Sequence, residues 1–268
     1  MKRLGYVAPS HTVAVLRLSR GVATGIDEMI AEETPVTIAF NGVSHAVMMA
    51  TPADLDDFVV GFSLTEGLIQ RADALTSVVT VRYDLGIEMQ ADTSVEVASD
   101  SKRRRLSGRT GCGICGKEDV IDVLRDLPKV SSSIQFTAAA IARAMTELGT
   151  RQPLNAETGA VHAAAWADVD GRVQVVREDV GRHNALDKLI GALARGGIDA
   201  HAGFIAMTSR GSFELVQKAA VAGVALLATV SAPTGLAVRV ANDVGLTLAG
   251  FAREERVTLY THPSRVTP

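Results

Sequence analysis

The chain has two thiols, Cys112 and Cys115, spaced C-x-x-C within Gly111-Cys112-Gly113-Ile114-Cys115-Gly116-Lys117. Two sulfurs at this spacing can carry a persulfide, exchange a disulfide or supply half of a metal site. Lys102, Arg103, Arg104, Arg105 and Arg109 precede the pair and Lys117 follows it. Positive charge beside a thiol favours the thiolate, the nucleophilic form. Downstream, Val120, Val123, Leu124 and Leu127 recur at helical spacing, with Glu118 and Asp119 in the first turn and Pro128 as a stop. The positive end of that expected helix would stabilise the thiolate further. The flanking glycines lack Cβ, so a large partner can approach the backbone closely, which favours transfer chemistry over rigid ligation.

Other uses of the pair fit less well. A structural zinc takes four ligands, and His11, His45, His162, His183, His201 and His262 supply no second half-site, so no metal is expected. A thioredoxin-like dithiol normally follows a strand in a βαβ unit. Here the motif follows the polar, basic stretch 99–108. Gly111, Gly113 and Gly116 also spell G-x-G-x-x-G, but with no strand running into it the match to a dinucleotide fingerprint is rejected. An extracellular disulfide is disfavoured too, since no signal peptide is legible in the first residues.

The 268 residues, 47% hydrophobic and 21% charged, describe a globular protein with ample core, as one large domain or two smaller ones. No apolar run approaches the ~20 residues that span a bilayer, so no membrane role is expected and the cytoplasm is the expected location. A net charge of -3 and only 4% aromatic residues give nucleic-acid binding no general support. The basic run at 102–105 reads by itself as a solvated loop.

The elements that must position the sulfurs follow from pattern. Residues 34–40 and 43–49 read as strands joined by Asn41-Gly42, suited to a type I′ turn. Thr51 is an expected N-cap with Pro52 at the first helical position, and Leu55, Phe58, Val59 and Phe62 form the stripe of a helix that covers the hairpin and ends at Gly67. Strands are expected at 78–83, 87–91 and 95–98, which makes residues 1–130 an α+β unit carrying the C-x-x-C loop. In residues 131–268, Thr137 caps a helix to about Leu148, and strands at 159–167 and 173–178 flank an Asp170-Gly171 turn. A helix opens after Asp179. Strands at 204–208, 224–230, 246–251 and 257–260 then alternate with helices at 213–222 and 236–240, which predicts a mainly parallel α/β layer.

Two strand-to-helix turns of this second unit could bind phosphate. Ser209-Arg210-Gly211-Ser212 offers hydroxyls, a guanidinium and free N–H groups, and Ala232-Pro233-Thr234-Gly235 recurs one unit later. Parallel strands would open both at one sheet edge, where ligands bind in such folds. The bland reading is a pair of capped helix starts. His183 reads equally as an exposed helix residue, and His162 as a strand histidine packed beside alanines.

Several long motifs in order resemble the accessory sulfurtransferase family required for formate dehydrogenase activity. They are Thr51-Pro52 through Asp57-Phe58 to Thr65-Glu66-Gly67, the Gly111–Gly116 segment, Thr158 to Ala164, Arg177-Glu178-Asp179-Val180-Gly181-Arg182-His183-Asn184-Ala185-Leu186-Asp187-Lys188, Thr208 to Gly211, Ser231 to Thr234, and Tyr260-Thr261-His262-Pro263. The resemblance implies an α/β protein whose second unit is similar to cytidine deaminases and which works as a homodimer. It implies a sulfurtransferase that accepts persulfide sulfur from a cysteine desulfurase and delivers it to the molybdenum bis(molybdopterin guanine dinucleotide) cofactor used by formate dehydrogenase, with GDP as a mimic. Cys112 would carry the persulfide and Cys115 would assist. The family's cofactor-binding segment falls on Phe251, Ala252, Arg253, Glu254, Glu255 and Arg256, joined by Ser209, Arg210 and Thr234 from the turns. Deamination is not expected, because His162-Ala163-Ala164 lacks the glutamate of H-x-E and Gly111 stands where P-C-x-x-C has proline. A non-catalytic cofactor chaperone and a dithiol oxidoreductase stay open as alternatives.

Overall fold

The structure is a computed structural model describing residues 8–95, 97, 126–253 and 256–268. Cys112, Cys115, the basic run at 102–105, and Glu254 and Glu255 lie outside the described residues. So does nearly all of the helix expected after the cysteines; Asp126 and Leu127, at its expected end, are irregular chain.

The chain opens on a hairpin that the residue pattern does not reveal. β1 (Ser10–Ser19) and β2 (Val22–Ala31) pair antiparallel across Arg20-Gly21, both at positive φ. Neither face packs on a core, and Leu16 and Leu18 stay 67% and 73% exposed, so the alternation that marks a half-buried strand never develops. β3 (Thr34–Phe40) and β4 (Val43–Ala50) form the expected second hairpin, with Asn41 and Gly42 at φ 48 and 78. α1 (Leu55–Thr65) follows, then β5 (Leu75–Tyr83) and β6 (Gly86–Thr93), giving a four-stranded sheet in the order β4-β3-β6-β5. Leu55, Phe58, Val59 and Phe62 of α1 pack on Val36, Ile38, Phe40 and Met89 in one buried cluster, as their spacing predicts. The strand expected at 95–98 does not form at Val95, which lies in a bend.

The second half is built on a six-stranded sheet. β7 (Phe136–Thr137) leads into α2 (Ala138–Thr150), whose Ala140 N–H donates to Thr137 Oγ1 at 3.0 Å, the predicted cap. The short α3 (Pro153–Thr158) precedes β8 (His162–Asp168), β9 (Val173–Asp179) and α4 (Arg182–Arg195). Then come β10 (Gly203–Met207), α5 (Phe213–Val221), β11 (Leu226–Thr229), α6 (Gly235–Val244), β12 (Thr247–Arg253) and β13 (Arg256–Leu259), with β14 (Val266–Thr267) returning to pair with β7. The order is β13-β12-β11-β10-β8-β9. Only β10–β11 and β11–β12 are parallel, whereas β8–β9, β8–β10 and β12–β13 are antiparallel. The mainly parallel layer expected from alternation is therefore a mixed sheet. The cause is local: β8 to β9 and β12 to β13 are joined by short turns, and a short turn can only reverse the chain.

α1 and α4 fasten the two sheets together at a crossing where backbone meets backbone. A Cβ on Gly61 would lie 1.7 Å from the Asp187 carbonyl oxygen, and one on Gly191 would lie 1.9 Å from that of Asp57. Buried charges surround the crossing. Asp57, 5% exposed, accepts from Arg177 Nε at 2.8 Å and Arg195 Nη1 at 2.6 Å. Asp187 accepts from Thr65 Oγ1 at 2.7 Å and from Lys218 Nζ, 2.9 Å from both carboxylate oxygens. Burial works against the Lys218 ammonium, but the Asp187 and Glu66 carboxylates outweigh it and hold its pKa above the ordinary lysine value. Lys188, wholly buried, lies 2.6 Å from Asp179 and donates to the Thr51 carbonyl at 2.9 Å.

Thr51 is consequently not the helix cap that its sequence position suggests. α1 starts at Leu55, preceded by Asp54 at φ 53 with no side-chain cap. Thr51 instead donates its N–H to Asp179 Oδ2 at 3.0 Å and accepts the Val180 N–H at 3.1 Å through Oγ1. Tertiary partners 128 residues away in sequence took the hydroxyl that local geometry would have used.

Because both glycines are in backbone contact, Gly61→Ala and Gly191→Ala should each cost about 1–3 kcal/mol or more, as overpacking does. Gly149→Ala, on α2 with nothing within 4 Å of its Cβ, should instead gain about 0.5–1 kcal/mol from helix propensity. Urea unfolding midpoints of the three variants check the contrast.

Candidate functional site

The C-terminal ends of β10, β11 and β12 face one edge of the large sheet, and the turns leaving them touch one another. Gly211 and Pro233 form a parallel bridge; the Gly211 N–H donates to the Ala232 carbonyl at 3.3 Å and the Thr234 N–H to the Gly211 carbonyl at 2.9 Å. The Phe251 N–H reaches the Ser231 carbonyl at 3.3 Å, where Phe251 itself sits at φ 49 in an irregularity of the β12–β13 register. Gly250 is required here, since a Cβ would come within 2.9 Å of Pro233 Cδ. The two turns singled out from sequence thus open at one edge, together with the 251–256 segment.

Antiparallel pairing brings more to this edge. β8 runs opposite to β10, so His162 begins at the edge, and β9 runs back to end there at Asp179. Asp179 accepts from the Gly181 N–H at 2.8 Å and Asn184 Nδ2 at 3.0 Å, which fixes the start of α4. His183 is buried, not exposed as its helix position suggests. It is 5% exposed, and its Nε2 lies 3.4 Å from Ser212 Oγ and 3.8 Å from Glu214 Oε2. This contact joins the start of α4 to the turn before α5.

The individual residues expected at a ligand site differ in availability. Arg210 and Arg253 are exposed and form no ion pair with a described residue. Arg256 is exposed, with its guanidinium 5.5 Å from the centroid of the Phe251 ring. Ser209 is buried and its hydroxyl donates to the Arg210 carbonyl at 3.2 Å, so it shapes the turn. Thr234 Oγ1 accepts the Ala237 N–H at 3.3 Å and caps α6. The Ala252 side chain is wholly buried. Cys112, Cys115, Glu254 and Glu255 lie outside the described residues, so no distance joins the sulfurs to this edge.

Two arginines escaped the sequence reading. Arg182 is the first residue of α4, and Arg239 of α6 folds back so that its Nη1 is 3.6 Å from where a Gly235 Cβ would stand. A cation at a helix N-terminus opposes the helix dipole, and that misfit was a signal available from sequence. The field is felt by both histidines. Burial first, then Arg182, pushes the pKa of His162 and of His183 below the ordinary histidine value; for His183 the Glu214 carboxylate opposes this in part.

Fold and edge together define a mixed α/β protein with several exposed arginines on the turns at one sheet edge. The FdhD/NarQ family profile matches residues 31–267, and the chain belongs to that family. A curated relative from Xanthomonas euvesicatoria, named sulfur carrier protein FdhD, is 51% identical over 97% of this chain and 94% of its own. One of the same name from Bordetella petrii is 48% identical over 99% of both. A crystal structure described as that of a candidate formate dehydrogenase accessory protein from Desulfotalea psychrophila matches with a TM-score of 0.79 at 26% identity, over 97% of this chain and all of that one.

Since His183 and His162 have folded pKa values below 6.5, the unfolded chain takes up protons first as pH falls. Their contribution to stability is complete above the ordinary histidine range and erodes as pH drops below about 6.5. Unfolding free energy should therefore decline from about pH 7.5 to about pH 5, and His183→Gln should flatten the slope, as denaturant titrations across that range would register.

Proposed function

We propose that the protein is a sulfur carrier that takes persulfide sulfur from a cysteine desulfurase and passes it to a molybdenum bis(molybdopterin guanine dinucleotide) substrate destined for formate dehydrogenase, acting in the cytoplasm as a homodimer. The Cys112 thiolate attacks the outer sulfur of the donor's persulfide. The donor S–S bond breaks, the donor cysteine leaves as thiolate, and Cys112 holds the new persulfide. Cys115 assists the onward transfer. The relatives' shared name and the C-x-x-C motif in a basic, glycine-rich setting support the sulfur chemistry.

One observation carries the nucleotide half of the reading: three strand-to-helix or strand-to-strand turns meet at one sheet edge, where Arg210 and Arg253 form no ion pair with a described residue. Such an edge suits phosphate oxygens, since guanidinium forks and backbone N–H groups both donate to them. Arg253, Arg256 and Arg210 are the residues assigned to the phosphates. Ser209 and Thr234 shape the two turns, and Phe251 steadies Arg256 from below its guanidinium.

Intact mass before and after incubation with a cysteine desulfurase and cysteine tests the carrier. A gain of one or more sulfur atoms, lost in Cys112→Ala, is expected; a protein that never gains sulfur is a cofactor chaperone instead. Cys115→Ala should keep some loading, whereas a dithiol oxidoreductase would lose all turnover with its resolving thiol. For the nucleotide edge, an Arg253→Ala, Arg256→Ala double variant should bind GDP about tenfold or more weakly by calorimetry. Unchanged binding would remove both arginines from the site.

A further inference from the structure

We infer that Arg182, beside His183 at the start of α4, forms a second oxyanion subsite at this edge, built for a phosphoryl group of the nucleotide ligand. The inference rests on the nucleotide-binding reading above but concerns residues outside its assigned set.

The first support is a buried donor in need of an acceptor. Arg182 Nε is shielded from solvent and has no hydrogen-bond partner among the described residues. A buried donor left unmatched on a charged group is costly, so native structures rarely retain one without a function. The second is position. Arg182 is the first residue of α4, where the helix dipole repels a cation, and an anion lodged there would satisfy the dipole and the guanidinium together.

Charge pairing elsewhere supports the same reading. Arg17, Arg71, Arg172, Arg177 and Arg195 each pair with a carboxylate away from this edge. Arg182, Arg210, Arg239 and Arg253 form no ion pair with a described residue, and all four belong to turns or helix starts of the one edge. Acids are close by: Asp179 is engaged by Lys188, and Glu214 lies 3.8 Å from His183 Nε2. His183 and Ser212, 5% and 8% exposed, are in contact and join the start of α4 to the turn carrying Arg210.

Two sources of the phosphoryl group are distinguishable. Neighbouring strands stand about 4.8 Å apart, so the ends of β9 and β10, two spacings apart in the sheet order, are separated by about 10 Å. The second phosphate of a diphosphate held at Arg210 could reach Arg182 only if it bound between them. A second nucleotide arm would occupy Arg182 independently.

Calorimetry with GDP, GMP and pyrophosphate on the wild type, Arg182→Gln and Arg182→Lys separates the cases. If one diphosphate bridges both positions, one GDP binds per chain, and Arg182→Gln weakens GDP about tenfold or more while leaving GMP within about twofold. If a second arm binds, two GDP bind per chain and Arg182→Gln removes one of them. Either result supports the subsite, with Arg182→Lys intermediate because it keeps the charge and loses the fork. GDP, GMP and pyrophosphate all unchanged within about twofold in Arg182→Gln would overturn it. A readout that needs no variant comes from NMR titration of the wild-type histidines: pyrophosphate should raise the midpoints of His162 and His183, because it offsets the charge of Arg182. No movement of either would also overturn the subsite. Should GDP bind nowhere while pyrophosphate binding depends on Arg182, the nucleotide reading fails and the oxyanion subsite stands.

Discussion

Everything at the ligand edge depends on the contact between α1 and α4, where Gly61 and Gly191 let two backbones touch. At this distance the two helices shield the charges beside them, and Asp57, Asp187 and Lys188 are all but sealed from solvent. Buried charges of this kind add little net stability compared with apolar packing, yet breaking one partner from the set is severe. What they supply is registry. Asp179 ends β9, is held by Lys188 and the Thr51 N–H, and in turn fixes the first turn of α4 through Gly181 and Asn184. The four-stranded unit thus sets where Arg182 and His183 stand, although neither touches that unit through any contact described above.

The ligand edge has a charge pattern opposite to that of the crossing. At the crossing every cation has an acid within reach, as Arg177 and Arg195 have Asp57 and Lys218 has Asp187 and Glu66. At the edge Arg182, Arg210, Arg239 and Arg253 have no such partner among the described residues, beside helix starts that add positive potential of their own. Among the described residues, charge is thus paired at the crossing and left open at the edge. Binding of a polyanionic nucleotide cofactor fits that arrangement better than zinc-assisted deamination, whose glutamate and proline–cysteine motifs the sequence lacks.

Local pattern resolved most elements. The Asn41-Gly42 turn, the α1 stripe, the Thr137 cap and the strand–helix alternation from β10 to β12 are each a matter of neighbours in sequence, and each formed where expected. The β1–β2 hairpin was missed because no core imposes alternation on it. Sheet direction was misjudged because β8–β9 and β12–β13 reverse through short turns, which the count of alternating elements ignores. At the edge, Arg210 was legible as a candidate from its strand-to-helix turn and Arg253 from the family resemblance, whereas the buried setting of His183 was not, since its partners Ser212 and Glu214 come from the turn and helix that follow β10.

By itself the sequence determined the chemistry available: two thiols at C-x-x-C spacing in basic, glycine-rich surroundings, and hydroxyls and guanidinium groups in two strand-to-helix turns. Those properties belong to residue types and short spacings, which survive without a fold. Only the tertiary structure decided which charged residues are paired into the scaffold and which stand exposed at the sheet edge. Thr51 reads along the chain as a helix cap, and Asp57, Asp179 and Asp187 as charged residues with no assigned partner, yet each is held by a partner more than 100 residues away. A side chain's partners depend on what long-range packing brings beside it, and no local spacing encodes that.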